Sequence, residues 1–237
     1  MLKVGGVTPF TSIDFPGKLS AVVFVQGCPW RCLYCHNPHL QSREVPIAGA
    51  PAWPQVREWL GRRRGLLDGV VFSGGEPTID AGLACAMQDV KAMGLLVGLH
   101  TAGMYPRRLS SVLREVDWAG FDIKAPLGDA QAQDHIVGVR DSLPQVAESL
   151  ALLLAGAVPF ECRTTAHPAW LAEPEIEAIA SELAGLGVRH YALQIARPVE
   201  AAGAAGAALR HAPAAYPSPP LLATLNSLFE TFTLRRP

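Results

Sequence analysis

Short β-branched apolar runs alternate along this chain with longer segments of helical spacing. Residues 19–26 (LSAVVFVQ) are a β-branched, apolar run and read as a strand buried on both faces. Further strands are read at residues 70–73, 95–100, 118–123, 158–165 and 188–195. Between these runs, residues 53–64, 81–93, 106–116, 143–155 and 174–186 have helical spacing. In the first of them Trp53, Val56, Trp59 and Leu60 fall on one side. Strands alternating with helices of this length predict βα units around a parallel sheet. Right-handed crossovers put every helix on one side if the sheet curls, so the expected fold is α/β, a partial (β/α)6 barrel. An open doubly wound sheet fits the same alternation.

The remaining segments are quieter. Residues 4–17, rich in Gly, Pro and Thr, read as an extended lead-in containing a short strand or hairpin. Residues 127–141 read as a polar loop, and residues 200–220 (EAAGAAGAALRHAPAAYPSPP) as a flexible Ala/Pro loop. Residues 221–232 form a last amphipathic stretch, expected to be a C-terminal helix packed on the barrel. No repeat or linker divides the chain, so one domain over 1–237 is expected, with its core at about 18–196. A hydrophobic share of 49% and a net charge of −1 give no electrostatic case for nucleic acid or an anionic membrane as partner. No apolar stretch is long enough to span a membrane, and no export signal is recognisable, so a cytoplasmic location is expected.

Chemistry enters at residues 27–38, GCPWRCLYCHNP. Cys28, Cys32 and Cys35 stand in the spacing C-x3-C-x2-C, three of the five cysteines within eight residues. Thiolates are the usual ligands of iron–sulfur clusters, and a [4Fe–4S] cube held by only three of them keeps one iron open to another ligand. A structural zinc site that recruits His36 or His39 is the competing reading. An odd cysteine count argues against a disulfide framework. Cys85 and Cys162, isolated in apolar surroundings, read as small buried core residues.

Position adds weight to the cysteine loop. That loop, Gly74-Gly75-Glu76-Pro77, Thr101-Ala102-Gly103, Asp122-Ile123-Lys124 and Arg163-Thr164-Thr165 all end predicted strands. In parallel α/β folds that edge is where sites are built. Each segment also has a plain structural reading. Gly74-Gly75 could be a tight turn, Asp122 and Lys124 a structural ion pair, and Arg163 the partner of a buried carboxylate.

Together these segments resemble the radical S-adenosylmethionine (SAM) superfamily. The cysteine loop with Tyr34 before its third Cys, the GGEP segment and the D-x-K segment at Asp122–Lys124 carry the likeness. The opening GGVTPFTSIDFPGK and the CHNP ending resemble more specifically the glycyl-radical-enzyme activases that serve anaerobic ribonucleoside-triphosphate reductase. The resemblance covers residues 4 to about 196. It implies one [4Fe–4S] cluster on Cys28, Cys32 and Cys35, with SAM on the open iron. Tyr34 and His36 would line the adenine side, and Gly74, Gly75, Glu76 and Asp122 would face the methionine amino group. Lys124 would pair with the carboxylate, with Thr101 and Arg163 as further cofactor contacts. The implied activity is reductive cleavage of SAM to a 5′-deoxyadenosyl radical, which then makes a glycyl radical on the partner enzyme. A flavodoxin or ferredoxin is the implied electron donor. Where many activases carry D-T-N-G, this chain has His100-Thr101-Ala102-Gly103, and two cofactor hydrogen bonds are missing or supplied otherwise. A small-molecule enzyme like 7-carboxy-7-deazaguanine synthase is the alternative within radical chemistry, and a zinc-stabilised interaction domain the alternative outside it.

Overall fold

The computed structural model describes residues 1–198 and 211–237. Strand β1 (Val4–Thr11) pairs antiparallel with β2 (Ser20–Val25), so the lead-in is one arm of a hairpin. Then β3 (Gly69–Gly74), β4 (Leu96–Thr101), β5 (Trp118–Asp122), β6 (Phe160–Ala166) and β7 (His190–Ile195) follow, each parallel to its predecessor. β8 (Thr231–Arg235) joins β7 in parallel and completes one eight-stranded sheet in simple sequential order. The expected α/β partial barrel is borne out; β1 is the short strand expected in the lead-in, and β8 is a strand that was not expected.

The helices follow the apolar spacing. They are α1 (Trp53–Gly61), α2 (Leu83–Ala92), α3 (Pro106–Val112), α4 (Ala130–Val137), α5 (Leu143–Ala155), α6 (Glu173–Gly185) and α7 (Pro219–Leu228). Pro occupies the first turn of α1, α3, α5, α6 and α7, where its missing N–H has no intrahelical partner to lose. Alternate strand residues such as Val23, Val25, Phe72, Leu99 and Phe121 meet the helices in the main core. The other strand face holds a second, smaller cluster in which Phe15 and Trp118 stack at 5.6 Å over Val22 and Val71. Phe15 arrives from the β1–β2 connection and plugs the concave side of the barrel.

Three expectations need correcting. The polar loop at 127–141 contains α4, capped by Asp129, whose side chain accepts from Ala132 N at 2.8 Å. The expected helix over 221–232 stops at Leu228, and Phe232 belongs to β8. Cys85 is exposed, because Leu83, Ala86, Met87 and Val90 take the buried stripe of α2 and leave it outside, whereas Cys162 is buried as expected. Of the Ala/Pro segment, residues 200–210 lie outside the described residues. The part beyond them is tied down by Tyr216, which is buried and donates its hydroxyl to Leu171 O at 2.7 Å.

Candidate active site

The C-terminal ends of β2 to β7 converge on a cavity of about 250 Å³. Cys28, Cys32 and Cys35 line it with Tyr34, His36, Gly74, Gly75, Thr101, Asp122, Lys124 and Arg163. Of the expected site residues, Glu76 alone does not line it. Asp14, Trp30, Met104 and Gln194 also reach the wall, and the sequence reading passed over them. Trp30 sits inside the cysteine motif and Asp14 inside the opening GGVTPFTSIDFPGK segment, so both positions carried a signal that was not followed to the residue.

The cysteine loop is tied to its neighbours chiefly by backbone bonds. Gly27 N and Cys28 N donate to Leu40 O and Gln41 O at 2.7 and 3.0 Å. Arg31 N and Leu33 N donate to Val137 O and Ile136 O, the last turn of α4, at 2.8 and 3.0 Å. On the other flank Glu76 N donates to Gly27 O at 2.8 Å. This approach is what the diglycine is for. Gly74 has φ +122°, and a Cβ on Gly75 would stand 2.3 Å from Gly27 O.

Glu76 is the main departure from expectation. Its carboxylate is fully buried and turned into the fold, accepting from Thr78 N (3.1 Å), Thr78 Oγ1 (2.6 Å), Thr101 Oγ1 (2.7 Å) and Ala102 N (2.9 Å). Burial pushes the carboxyl up, against the pull of these hydrogen bonds. Glu76 therefore braces the turn after β4 and does not reach toward a ligand. The same bonds consume the Thr101 hydroxyl and show what holds the His100-to-Gly103 turn in place of the activase pattern. His100 is turned elsewhere, its Nε2 lying 2.9 Å from Asp14 O.

A charge array faces the cysteines. Arg163 donates to Asp122 Oδ1 from Nε at 3.0 Å and from Nη2 at 2.8 Å, while Lys124 Nζ lies 3.4 Å from Oδ2. Gly120 makes the fork possible, since a Cβ there would meet Arg163 Cζ at 2.7 Å. Burial alone would raise Asp122, but Arg163 and Lys124 overcome it and hold the carboxyl down at about 2. The sign follows from linkage: a carboxyl depressed in the folded state stabilises it fully above the ordinary value of about 4, and that contribution is lost as pH falls toward 2. The stability gap between wild type and Asp122→Asn should therefore narrow from about pH 5 to pH 2. Urea unfolding across that range checks it, and a constant gap would contradict it.

The residues present suit a sulfur-held cluster. Burial pushes the Cys28 thiol up to about 12 and raises Cys32 as well, so binding iron through these two sulfurs would release their protons. Among the described residues no three Cys, His, Asp or Glu side chains are placed to hold a single metal ion. Sulfurs spread around a cavity fit a four-iron cube, which brings its own sulfides, better than one zinc ion. Beside them, His36 Nε2 and the Tyr34 hydroxyl are buried and make no well-formed hydrogen bond among the described residues, their near neighbours being Arg197 and Lys124. Tyr34 stacks on Trp170 at 4.9 Å and Trp170 on His167 at 4.8 Å, an aromatic column that fixes one wall. A buried polar atom without a partner is costly in a finished core and ordinary in a ligand site.

The signature of the Radical SAM superfamily matches residues 22–168, more than half of the chain. The chain belongs to the radical SAM superfamily. A protein of Methanocaldococcus jannaschii named as a glycyl-radical enzyme activating enzyme is 28% identical over 206 residues, 84% of this chain and 81% of that one. Pyruvate formate-lyase-activating enzyme of Clostridium pasteurianum is 30% identical over 131 residues, 52% of this chain and about half (53%) of the relative. These relatives bear out the activase resemblance read from the motifs. The crystal structure of SuiB from Streptococcus suis bound to SAM superposes with a TM-score of 0.67 over 90% of this chain and 48% of that one, at 11% identity, a likeness of fold. With this family match and these relatives, the chain is a radical SAM enzyme. No helix among the described residues is long and apolar enough to cross a membrane.

Proposed function

We propose that this radical SAM enzyme is a glycyl-radical-enzyme activase whose partner is an anaerobic ribonucleoside-triphosphate reductase. The observation that carries the reading is the single cavity shared by the three cysteines, the Gly74-Gly75 turn and the Asp122–Arg163–Lys124 array. Bound there and reduced, a [4Fe–4S] cluster supplies one electron that splits SAM into methionine and a 5′-deoxyadenosyl radical able to take a glycine Cα hydrogen.

The chain's own residues do the rest. Cys28, Cys32 and Cys35 would anchor the cluster and leave one position for the amino acid end of SAM. Backbone groups of Gly74 and Gly75 would hold the amino group beside Asp122, and the Lys124 ammonium would meet the carboxylate. His36 Nε2 is left to bond the nucleoside end, and the Tyr34–Trp170 stack excludes water from it. A substrate brought to the rim from outside, as a glycine on a large partner would be, agrees with the relatives named as glycyl-radical enzyme activating enzymes. The N-terminal GGVTPFTSIDFPGK and the CHNP ending favour the reductase among such partners.

The test is anaerobic. Enzyme reconstituted with iron and sulfide is reduced, given SAM, and incubated with the reductase while 5′-deoxyadenosine and the glycyl radical signal are followed. A radical on the reductase supports the proposal. A radical on pyruvate formate-lyase alone would replace the partner, and 5′-deoxyadenosine without a radical on either would sink the activase reading.

A further inference from the structure

The cavity wall behind the cysteine loop is thin. Trp30 and Met104, both buried, line the cavity on one side and an outer groove on the other. That groove runs over Pro29, Tyr105, Val139 and Gln145 and continues past Pro106 to Arg107 and Arg108. Cations border it: Arg107, Arg108 and Arg140 line it and are exposed, and Arg31 is exposed next to Trp30 on the cysteine loop, in a chain whose net charge is −1. Two carboxylates, Asp141 and Glu148, also border the groove. None of the four arginines makes an ion pair within the described residues. Arg31 spends hydrogen bonds on the carbonyls of Cys28 and Trp30 at 2.8 and 2.9 Å, and Arg108 lies over the Tyr105 ring at 4.9 Å. Apolar surface accompanies the charge, since Pro29 and Leu33, the latter 46% exposed, flank Arg31 on the cysteine loop itself.

We infer that this groove is the docking face for an acidic one-electron carrier protein, and that Trp30 and Met104 form the wall its electron crosses to reach the cysteine loop. The inference rests on the reading that the loop holds a reducible cluster. The occupant follows from charge and from need. A site that consumes one electron per SAM cleaved requires an outside reductant. Unpaired arginines around a shallow apolar groove suit an acidic protein surface, with complementary charge setting the rate of encounter. In the transfer the carrier loses one electron and the cluster gains one; no bond forms or breaks and no proton moves. The mouth of the cavity stays clear for the glycine-bearing partner, so reduction and hydrogen abstraction use different faces.

The test uses the reconstituted holoenzyme and a reduced flavodoxin as the acidic probe. Arg107 and Arg140 lie outside the SAM-binding machinery, so Arg107→Glu combined with Arg140→Glu should leave dithionite-driven 5′-deoxyadenosine formation unchanged. Flavodoxin binding, measured by calorimetry, should weaken about tenfold or more and become less salt-dependent, and flavodoxin-driven cleavage should fall with it. Retained dithionite-driven activity also shows that the variant is folded. Unchanged flavodoxin affinity and salt dependence in the double variant would overturn the docking face. Wild-type enzyme that holds its cluster yet cleaves no SAM with dithionite would instead overturn the reading beneath it.

Discussion

Replacing Cys32 with Ala is expected to reduce 5′-deoxyadenosine formation to the background of cluster-free protein, with loss of the bound iron and sulfide. The loop offers three thiols, and all three line the cavity. Two thiols cannot retain a cube that needs at least three protein ligands to leave one iron free. Cys85→Ala is the matching control, since that thiol is exposed on α2 and should change neither iron content nor rate. Iron and sulfide analysis beside product assay gives the answer, and a Cys32→Ala protein that keeps both would refute the ligand assignment.

The second large effect concerns Glu76. Glu76→Ala should destabilise the fold by about 3 kcal/mol or more, because it strands the Thr78 and Ala102 N–H groups in a buried site and frees two hydroxyls. Glu76→Gln keeps an acceptor of nearly the same shape and should recover part of the loss. The expected loss of activity then tracks unfolding, with SAM affinity restored at temperatures where the variant is folded. If Glu76 instead held the SAM amino group, Glu76→Ala would weaken SAM binding while leaving the urea midpoint in place. Urea unfolding and SAM titration on one preparation separate the two.

The difference between motif and geometry at Glu76 shows how far the sequence could be read. The GGEP string says that a carboxylate follows a tight turn; it does not say which way the side chain leaves it. Here Glu76 caps the 3-10 turn Pro77–Ile79, and that local bond to Thr78 N commits the carboxylate inward. Strands β2 to β5 and β7 were legible because their largely apolar runs are buried on both faces and cannot be confused with a solvated helix, and β6 (FECRTTA) was legible from its place in the alternation of strands and helices. β8 was not, since Leu221, Leu225, Phe229 and Phe232 continue a helical spacing through the point where the chain turns back into the sheet. α4 was hidden for the opposite reason: only Gln133, Ile136 and Val137 of its eight residues are buried, too few for a pattern. The convergence of the cysteines, the diglycine and the D-x-K segment on one rim was legible, because strand direction alone puts those ends together. Trp170 was not, because its place depends on how a distant loop folds over that rim.

The contact between Gly75 and Gly27 limits how this chain can vary. At Gly27 an added Cβ would strike the flexible stem of Arg43 at 2.5 Å, and the φ of +120° would strain any side chain there even beside a shorter residue 43. At Gly75 the obstacle is the carbonyl of Gly27 itself, 2.3 Å away, followed by its carbonyl carbon. No change of side chain elsewhere can shorten a backbone. A drifting lineage therefore has no second-site suppressor available for Gly75: a larger residue there must move the whole cysteine loop.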